Sequence, residues 1–312
     1  MNKYALSAIG SWNTRPRTDY KLIKVTPINP SIGAEIEGVD LSEQISPDVF
    51  TEINAALNEH HVVCFREQQL SDEDHKRFGR MFGKLHSHPG HAALAKAIEV
   101  GDEEGIRRAQ LYGFGGDPEI LHIKADETSK NIAGEGWHTD VTCDLEPPMG
   151  SLLYIKEIPG GGGGATMFMN MHLAYETLSP LMRSFLEGLT AIHSGAKPYT
   201  HNYGVHVPEG GWPESEHPVV CTHPGNGRKM LYVNGGFTVN IPQLAPNESD
   251  ALLDMLFRHC ASMPELHCRV QWTPNMLTMW DNRCTQHHAV WDYYPGKRVG
   301  QRVSVIGERP TP

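Results

Sequence analysis

Trp137-His138-Thr139-Asp140 and, far downstream, Trp280-Asp281-Asn282-Arg283-Cys284-Thr285-Gln286-His287 are the stretches whose reading decides the fold. Arg298 and Arg302 follow the second stretch. Together they supply two imidazoles in His138 and His287, the Asp140 carboxylate and two guanidiniums. Two histidines and one carboxylate on one face of an ion form the ligand set of non-haem Fe(II) centres, which leaves positions open for other ligands. On a strand, residues two apart point to the same side, so His138 and Asp140 reach one ion while Trp137 and Thr139 face away. His287 completes the set only if the fold brings distant strands together.

Working outward, the rest of the chain reads as a β-rich body with helices around it. His61-Val62-Val63-Cys64-Phe65, residues 150–156, 165–168, 231–233, 268–272, 276–280 and 302–306 are strand-like. Ser46-Pro47 and Ser71 with Asp74 signal helix starts. Ser179-Pro180 opens another helix, and Asn247 is expected to cap a helix that turns Leu252, Leu253, Leu256, Phe257 and Cys260 toward the core. Short strands with turn signals predict a sandwich or barrel, mainly β with peripheral helices (α+β). Residues 1–20 are polar and aperiodic and are expected to form an arm. Residues 21–312 are expected to form a single domain. Within it, 84–136 reads as an irregular, lid-like segment with a short helical piece near 91–98, and 194–218 as a long polar loop.

Bulk properties narrow the function. The 312 residues carry a formal net charge of −10, which argues against nucleic-acid or anionic-membrane binding through the protein's overall field. Arginines gathered in one cleft can still hold a small anion. Six cysteines without a C-x-x-C pair, behind a start that lacks a signal-peptide pattern, predict free thiols in a reducing, cytoplasmic setting. The run Gly160–Gly164 lacks the Lys-Ser/Thr of a phosphate loop, which argues against nucleotide binding. Eighteen histidines make a lone H-x-D triplet weak evidence, and His288 is a neighbour that competes with His287.

The stretch Trp137 to Thr142, then Pro147-Pro148, the glycine run and Thr166, resembles the taurine dioxygenase / 2,4-dichlorophenoxyacetate dioxygenase family. So does the run from Trp280 to Pro310, with lesser matches at 33–41 and 223–234. The similarity is collinear over nearly the whole chain and is nearest the taurine branch. It implies a double-stranded β-helix (jelly-roll) core and an Fe(II)- and 2-oxoglutarate-dependent dioxygenase that consumes O2. It also implies a small-molecule organic anion as substrate, cytoplasmic location and assembly as a homo-oligomer, dimer or tetramer. The implied metal ligands are His138, Asp140 and His287. The implied 2-oxoglutarate contacts are Thr166 and Arg298, with Arg298 on the turn before a strand that Arg302 begins. The implied substrate contacts are His88 and Arg302. Tyr112 and Phe114 stand as lid contacts. Aspartate at position 140, where related halogenases carry a small residue, implies hydroxylation.

Two departures point away from taurine itself. Gly134 stands where taurine dioxygenases carry an amide, and Gly90-His91 where an aromatic is expected. The segment between His88 and Trp137 is also longer than in that branch. These features favour a larger or less polar anion: a sulfonate, a sulfate ester, or a carboxylate such as an aryloxy acid. Two other readings remain open. One is a cupin-like metal enzyme that does not use 2-oxoglutarate. The other is a non-catalytic metabolite-binding protein on the same scaffold.

Overall fold

The structure, a computed structural model, describes residues 2–312 except Tyr112, 203–206, 208 and 209; for His201 and Asn202 only the backbone is described. Its centre is a seven-stranded sheet. In spatial order the strands are Lys24–Pro27, Ala34–Glu37, Val62–Phe65, Met276–Asp281, Gly150–Glu157, Arg298–Val305 and Leu121–Ala125. All neighbours are antiparallel except the Ala34–Glu37/Val62–Phe65 pair. A three-stranded sheet, His267–Val270, Thr166–Asn170 and Thr285–Ala289, packs against its inner face.

Alternation along the strands decides which side chains meet. Val62, Cys64, Leu153, Ile155, Met276 and Trp280 point inward, onto Phe168, Cys268 and Val270 of the smaller sheet. Their neighbours Val63, Phe65, Leu152, Tyr154, Leu277, Met279 and Val303 point outward, under helices Pro47–His60 and Asp72–Arg80. Those helices begin where the sequence signals them. Ser46 accepts from Val49 N with Pro47 at the first helical position, and Ser71 with Asp74 closes a reciprocal capping box.

Several expectations change. Residues Lys3–Asn13 form a helix capped by Asn2, not an extended arm. Its Trp12 is 1% exposed and lies between the guanidiniums of Arg15 and Arg228, 3.9 and 4.1 Å from the ring. Ala5, Ala8 and Trp12 make its buried face, and two alanines beside one indole give a stripe too weak to mark the helix in the sequence. The segment 84–136 is not irregular: it carries helices Pro89–Val100 and Glu103–Leu111 and the edge strand Leu121–Ala125. Alanine-rich faces, with Ala93, Ala97 and Ala109 buried, hide the helical period there. Residues 214–218 of the expected loop pair as a strand with Thr190–Ser194. Helix Pro246–Ala261 starts earlier than Asn247 suggests, after Ala245, whose N–H is taken by the Glu248 carboxylate. Among the described residues no helix is long and apolar enough to cross a membrane.

The interior holds an unusual load of imidazoles. Burial holds the pKa of His75 down at about 4, and those of His172 and His193 at about 3. Each lies below its unfolded value, so the unfolded chain binds more protons once pH drops under roughly 6.5. Stability is therefore full above that pH and is lost as pH falls towards the folded-state values. The expected slope is up to about 1.4 kcal/mol per pH unit for each such imidazole. Denaturant titrations at a series of pH values between neutral and mildly acidic should show this fall; a flat profile would contradict it.

Candidate active site

The two distant stretches do meet. His138 pairs with His287 as an isolated antiparallel bridge at the edge of the smaller sheet, exchanging backbone hydrogen bonds of 3.0 and 2.8 Å. Beyond His138 the chain turns, with Val141 at φ +51°, so the triplet sits on a one-residue bridge and not on a regular strand. The expected alternation survives. Thr139 donates its hydroxyl to Thr285 O, and Trp137 stacks near His267 and His288. His288 is thereby drawn to the Trp137 side, and His287 is the imidazole that faces His138, with ring centroids 4.1 Å apart.

Asp140 Oδ1 stands 3.8 Å from Nε2 of both His138 and His287. The three groups form one of three clusters among the described residues with donor atoms close enough to share an ion. Asn282 clamps the carboxylate's backbone: its Oδ1 accepts from Asp140 N, and its Nδ2 donates to Asp140 O and Pro148 O. Ser151 donates to Asp140 Oδ2 at 2.8 Å, and Arg302 Nη1 to Oδ1 at 2.5 Å. Burial alone would raise the Asp140 carboxyl pKa, but the Arg302 guanidinium, helped by the Ser151 hydrogen bond, outweighs it and holds it below the usual carboxylate range. Burial pushes both imidazoles down, His287 strongly. His138 Nδ1 lies 2.9 Å from Gly136 O, which only accepts, so the proton sits on Nδ1 and the Nε2 lone pair faces Asp140. The donor set is thus neutral imidazole, neutral imidazole and carboxylate, in the protonation states a metal requires.

Arg298 and Arg302 lie on one strand, Arg298–Val305, and not on a turn and a strand; four residues apart, they share a face. Arg298 is 5% exposed, and its Nε and Nη2 have no hydrogen-bond partner among the described residues. A buried guanidinium with free N–H groups is costly unless something anionic joins it. Trp272 lies under it, with the Arg298 guanidinium carbon 5.6 Å from the ring centroid. The indole N–H of Trp272 donates to Thr166 Oγ1 at 3.0 Å, which leaves the threonine proton free to donate elsewhere. Thr166, Arg298, Arg302 and the three candidate metal ligands all line one cavity of about 360 Å3.

His88 lines the same cavity, as the N-cap of Pro89–Val100 and not as a surface loop residue. Its Nδ1 accepts from Gly90 N, so the ring proton is on Nε2, 3.2 Å from Tyr199 Oη. Phe114 stacks on His88, with ring centroids 4.9 Å apart. Gly90 makes this possible, because a Cβ there would fall 2.1 Å from Phe114 Cζ. Phe114, from later in the segment, is the aromatic that packs on His88. Tyr112 lies outside the described residues. Sequence reasoning did not single out Tyr199, Phe237, Trp272, Ser151 or Asn282; only the Asn282 stretch carried a signal, through its place in the family motif.

The comparisons with known proteins agree with this class of centre. A taurine dioxygenase from Burkholderia xenovorans superposes with a TM-score of 0.74 at 34% identity, covering 93% of this chain and 91% of that one. The profile of the taurine catabolism dioxygenase TauD, TfdA family matches residues 24–304, and the chain belongs to that family. It is 33% identical to the alpha-ketoglutarate-dependent sulfonate dioxygenase of Saccharomyces cerevisiae, over 98% of this chain and 72% of the relative. It is 30% identical to the alpha-ketoglutarate-dependent sulfate ester dioxygenase of Pseudomonas putida, over 92% and 91%.

Replacing Asn282 with alanine strips Asp140 of its backbone clamp while leaving every candidate ligand in place. Fe(II) affinity should fall about 10- to 100-fold, as when groups supporting metal ligands are removed elsewhere. Equilibrium dialysis of the variant checks this; unchanged affinity would show that Asp140 needs no such support.

Proposed function

We propose that the chain is an Fe(II)- and 2-oxoglutarate-dependent dioxygenase that hydroxylates a small organic anion, on a jelly-roll core formed by the two facing sheets. The observation that carries this reading is the pairing, in one cavity, of a two-histidine, one-carboxylate cluster with a buried arginine whose N–H groups are unspent. A cupin-like metal enzyme working without 2-oxoglutarate would have no use for such an arginine.

In this reading His138, Asp140 and His287 hold Fe(II). Arg298 takes the distal carboxylate of 2-oxoglutarate through its planar fork, and Thr166 adds its hydroxyl proton. Bound there, iron with 2-oxoglutarate supplies the oxidant that hydroxylates a C–H bond at the cost of O2, releasing succinate and CO2. The chain's own residues do the rest. Trp272 fixes the Thr166 hydroxyl and covers one side of the Arg298 guanidinium. Leu153, Trp280 and Met169 keep the neighbouring wall of the cavity apolar, which strengthens the charge pairing inside. Arg302 holds Asp140 ionised while its own Nε has no partner among the described residues, so it can also engage a substrate anion beside His88.

The substrate end is walled by Phe114, Leu121, Ile123, Tyr199 and Phe237. Gly134 offers no amide to the cavity, and its φ of +84° and a Cβ position 3.3 Å from His138 Cε1 disfavour a side chain there. This supports an anion with an apolar body, such as an alkyl or aryl sulfonate, a sulfate ester or an aryloxy acid, over taurine. Helices Pro89–Val100 and Glu103–Leu111 serve as its cover, which is the role proposed for the 84–136 segment.

Succinate release measured across sulfonates, sulfate esters and aryloxy acids should reveal turnover, with apolar anions ahead of taurine, and His138→Ala should abolish it. Arg298→Gln should raise the KM for 2-oxoglutarate by roughly 100-fold or more, the loss of about 3 kcal/mol of charge-assisted bonding. Anaerobic 2-oxoglutarate should give the iron-loaded chain a visible charge-transfer band. Iron bound with no band would instead favour the enzyme that does not use 2-oxoglutarate.

A further inference from the structure

We propose that the chain binds a second metal ion, a divalent cation of the zinc class, through His61, His172 and Cys284. The site is independent of the oxygenase reading and uses none of its residues.

The three side chains come from separate elements. His61 is the left-handed C-cap of helix Pro47–His60, His172 lies in helix Met171–Glu176, and Cys284 is in the turn before strand Thr285–Ala289. All three are buried, at 1%, 0% and 0% exposure, and their donor atoms lie within 4.8 Å of one another. His61 Nδ1 is 3.5 Å from Cys284 Sγ. Tetrahedral zinc with its usual Zn–N and Zn–S lengths sets donor atoms roughly 3.5 Å apart. That pair already has the spacing, and His172 needs a shift on the scale of a side-chain rotation.

Hydrogen bonding separates this trio from the one that overlaps it. His223, Asp281 and Cys284 also lie close together, but that set is spent. His223 Nδ1 accepts from Gly225 N and Asn226 N, its Nε2 pairs with Asp281 Oδ2 at 2.9 Å, and Asp281 is bound on both oxygens by Arg283. No lone pair of His223 remains. In the proposed trio the lone pairs are available. His172 Nδ1 lies 2.9 Å from Lys229 O, a pure acceptor, so the proton is there and Nε2 is bare, met only by a long 3.4 Å approach of Asn226 Nδ2. His61 Nε2 is buried without any partner among the described residues. With the ring proton on Nε2, the His61 Nδ1 lone pair faces Cys284 Sγ and is free to ligate.

Two imidazoles and a thiol select a borderline-soft ion, whereas the two-imidazole, one-carboxylate centre next door suits Fe(II). Binding is a proton exchange: the Cys284 S–H bond breaks, a sulfur–metal bond forms, and the proton leaves to solvent. Burial keeps the Cys284 thiol protonated in the absence of a cation, so the ion must bring its own charge to draw the thiolate out. Trp12 closes the site, with its ring centroid 5.8 Å from His61 and 6.3 Å from His172. Three protein ligands leave a fourth position to water, and the ion would tie the helix ends to the turn that leads, three residues on, into His287.

The test uses Co2+ and Zn2+ as probes on the full chain after chelation. The unsubstituted chain should take up two Co2+ and show a thiolate-to-cobalt charge-transfer band in the near ultraviolet. His138→Ala should lose one equivalent and keep the band. Cys284→Ser should lose one equivalent together with the band, and so should His172→Asn, which perturbs a different element if the serine variant folds poorly. Zn2+ should raise the melting temperature of His138→Ala but not of His138→Ala/His172→Asn. A single equivalent without a thiolate band, or a band that survives Cys284→Ser, would overturn the proposal.

Discussion

The constraint on which the rest depends is the pair of backbone hydrogen bonds exchanged by His138 and His287. They join a turn-rich segment from the middle of the chain to a strand near its end, and they set the two rings 4.1 Å apart. Two imidazolium ions could not share that space cheaply. Burial removes the difficulty by keeping both rings neutral, and neutrality is what leaves their lone pairs free. The carboxylate beside them is the costly member, because a dry anion must be matched. Arg302 and Ser151 match it while Asn282 holds its backbone, and all three come from elements of the large sheet or its immediate margin. The smaller sheet thus brings the imidazoles, and the larger sheet brings the groups that keep the acid charged.

Much of this was legible in the sequence, because strand parity and ligand chemistry are local rules. His138 and Asp140 stood out as an H-x-D pair, the choice of His287 over its neighbour His288 rested on the family resemblance, and the outer helices could be read from Ser-Pro and Ser-x-x-Asp starts. What escaped was set by tertiary packing. Arg298 reads as a turn residue after Tyr294-Pro295-Gly296, yet pairing with Ala125 draws it into the strand. The alanine faces of helices Pro89–Val100 and Glu103–Leu111 carry too little contrast to show a period. Tyr199 and Trp272 left no trace, since a hydroxyl that meets His88 and an indole that meets Thr166 depend on contacts between residues 111 and 106 positions apart.

The chain's net charge of −10 opposes an anion at long range. The resolution lies in distribution. Lysines and arginines at the surface are largely paired with nearby carboxylates, whereas Arg298 is withheld from every acidic partner among the described residues. An isolated cation in an apolar wall exerts a stronger pull than several exposed ones.

Strand Arg298–Val305 carries one further consequence. Four residues of extended chain separate the two arginine Cα atoms by roughly 13 Å. Hydrogen bonds to Leu121–Ala125 on one side and Gly150–Glu157 on the other keep that span from stretching. Under the proposed roles, the co-substrate's remote end and the substrate's charged end are pegged to a rigid rule. Which carbon along a flexible tail is oxidised then depends on how far it lies from its own headgroup, so homologous chains of increasing length should react at a constant position and differ only in how much tail is left over.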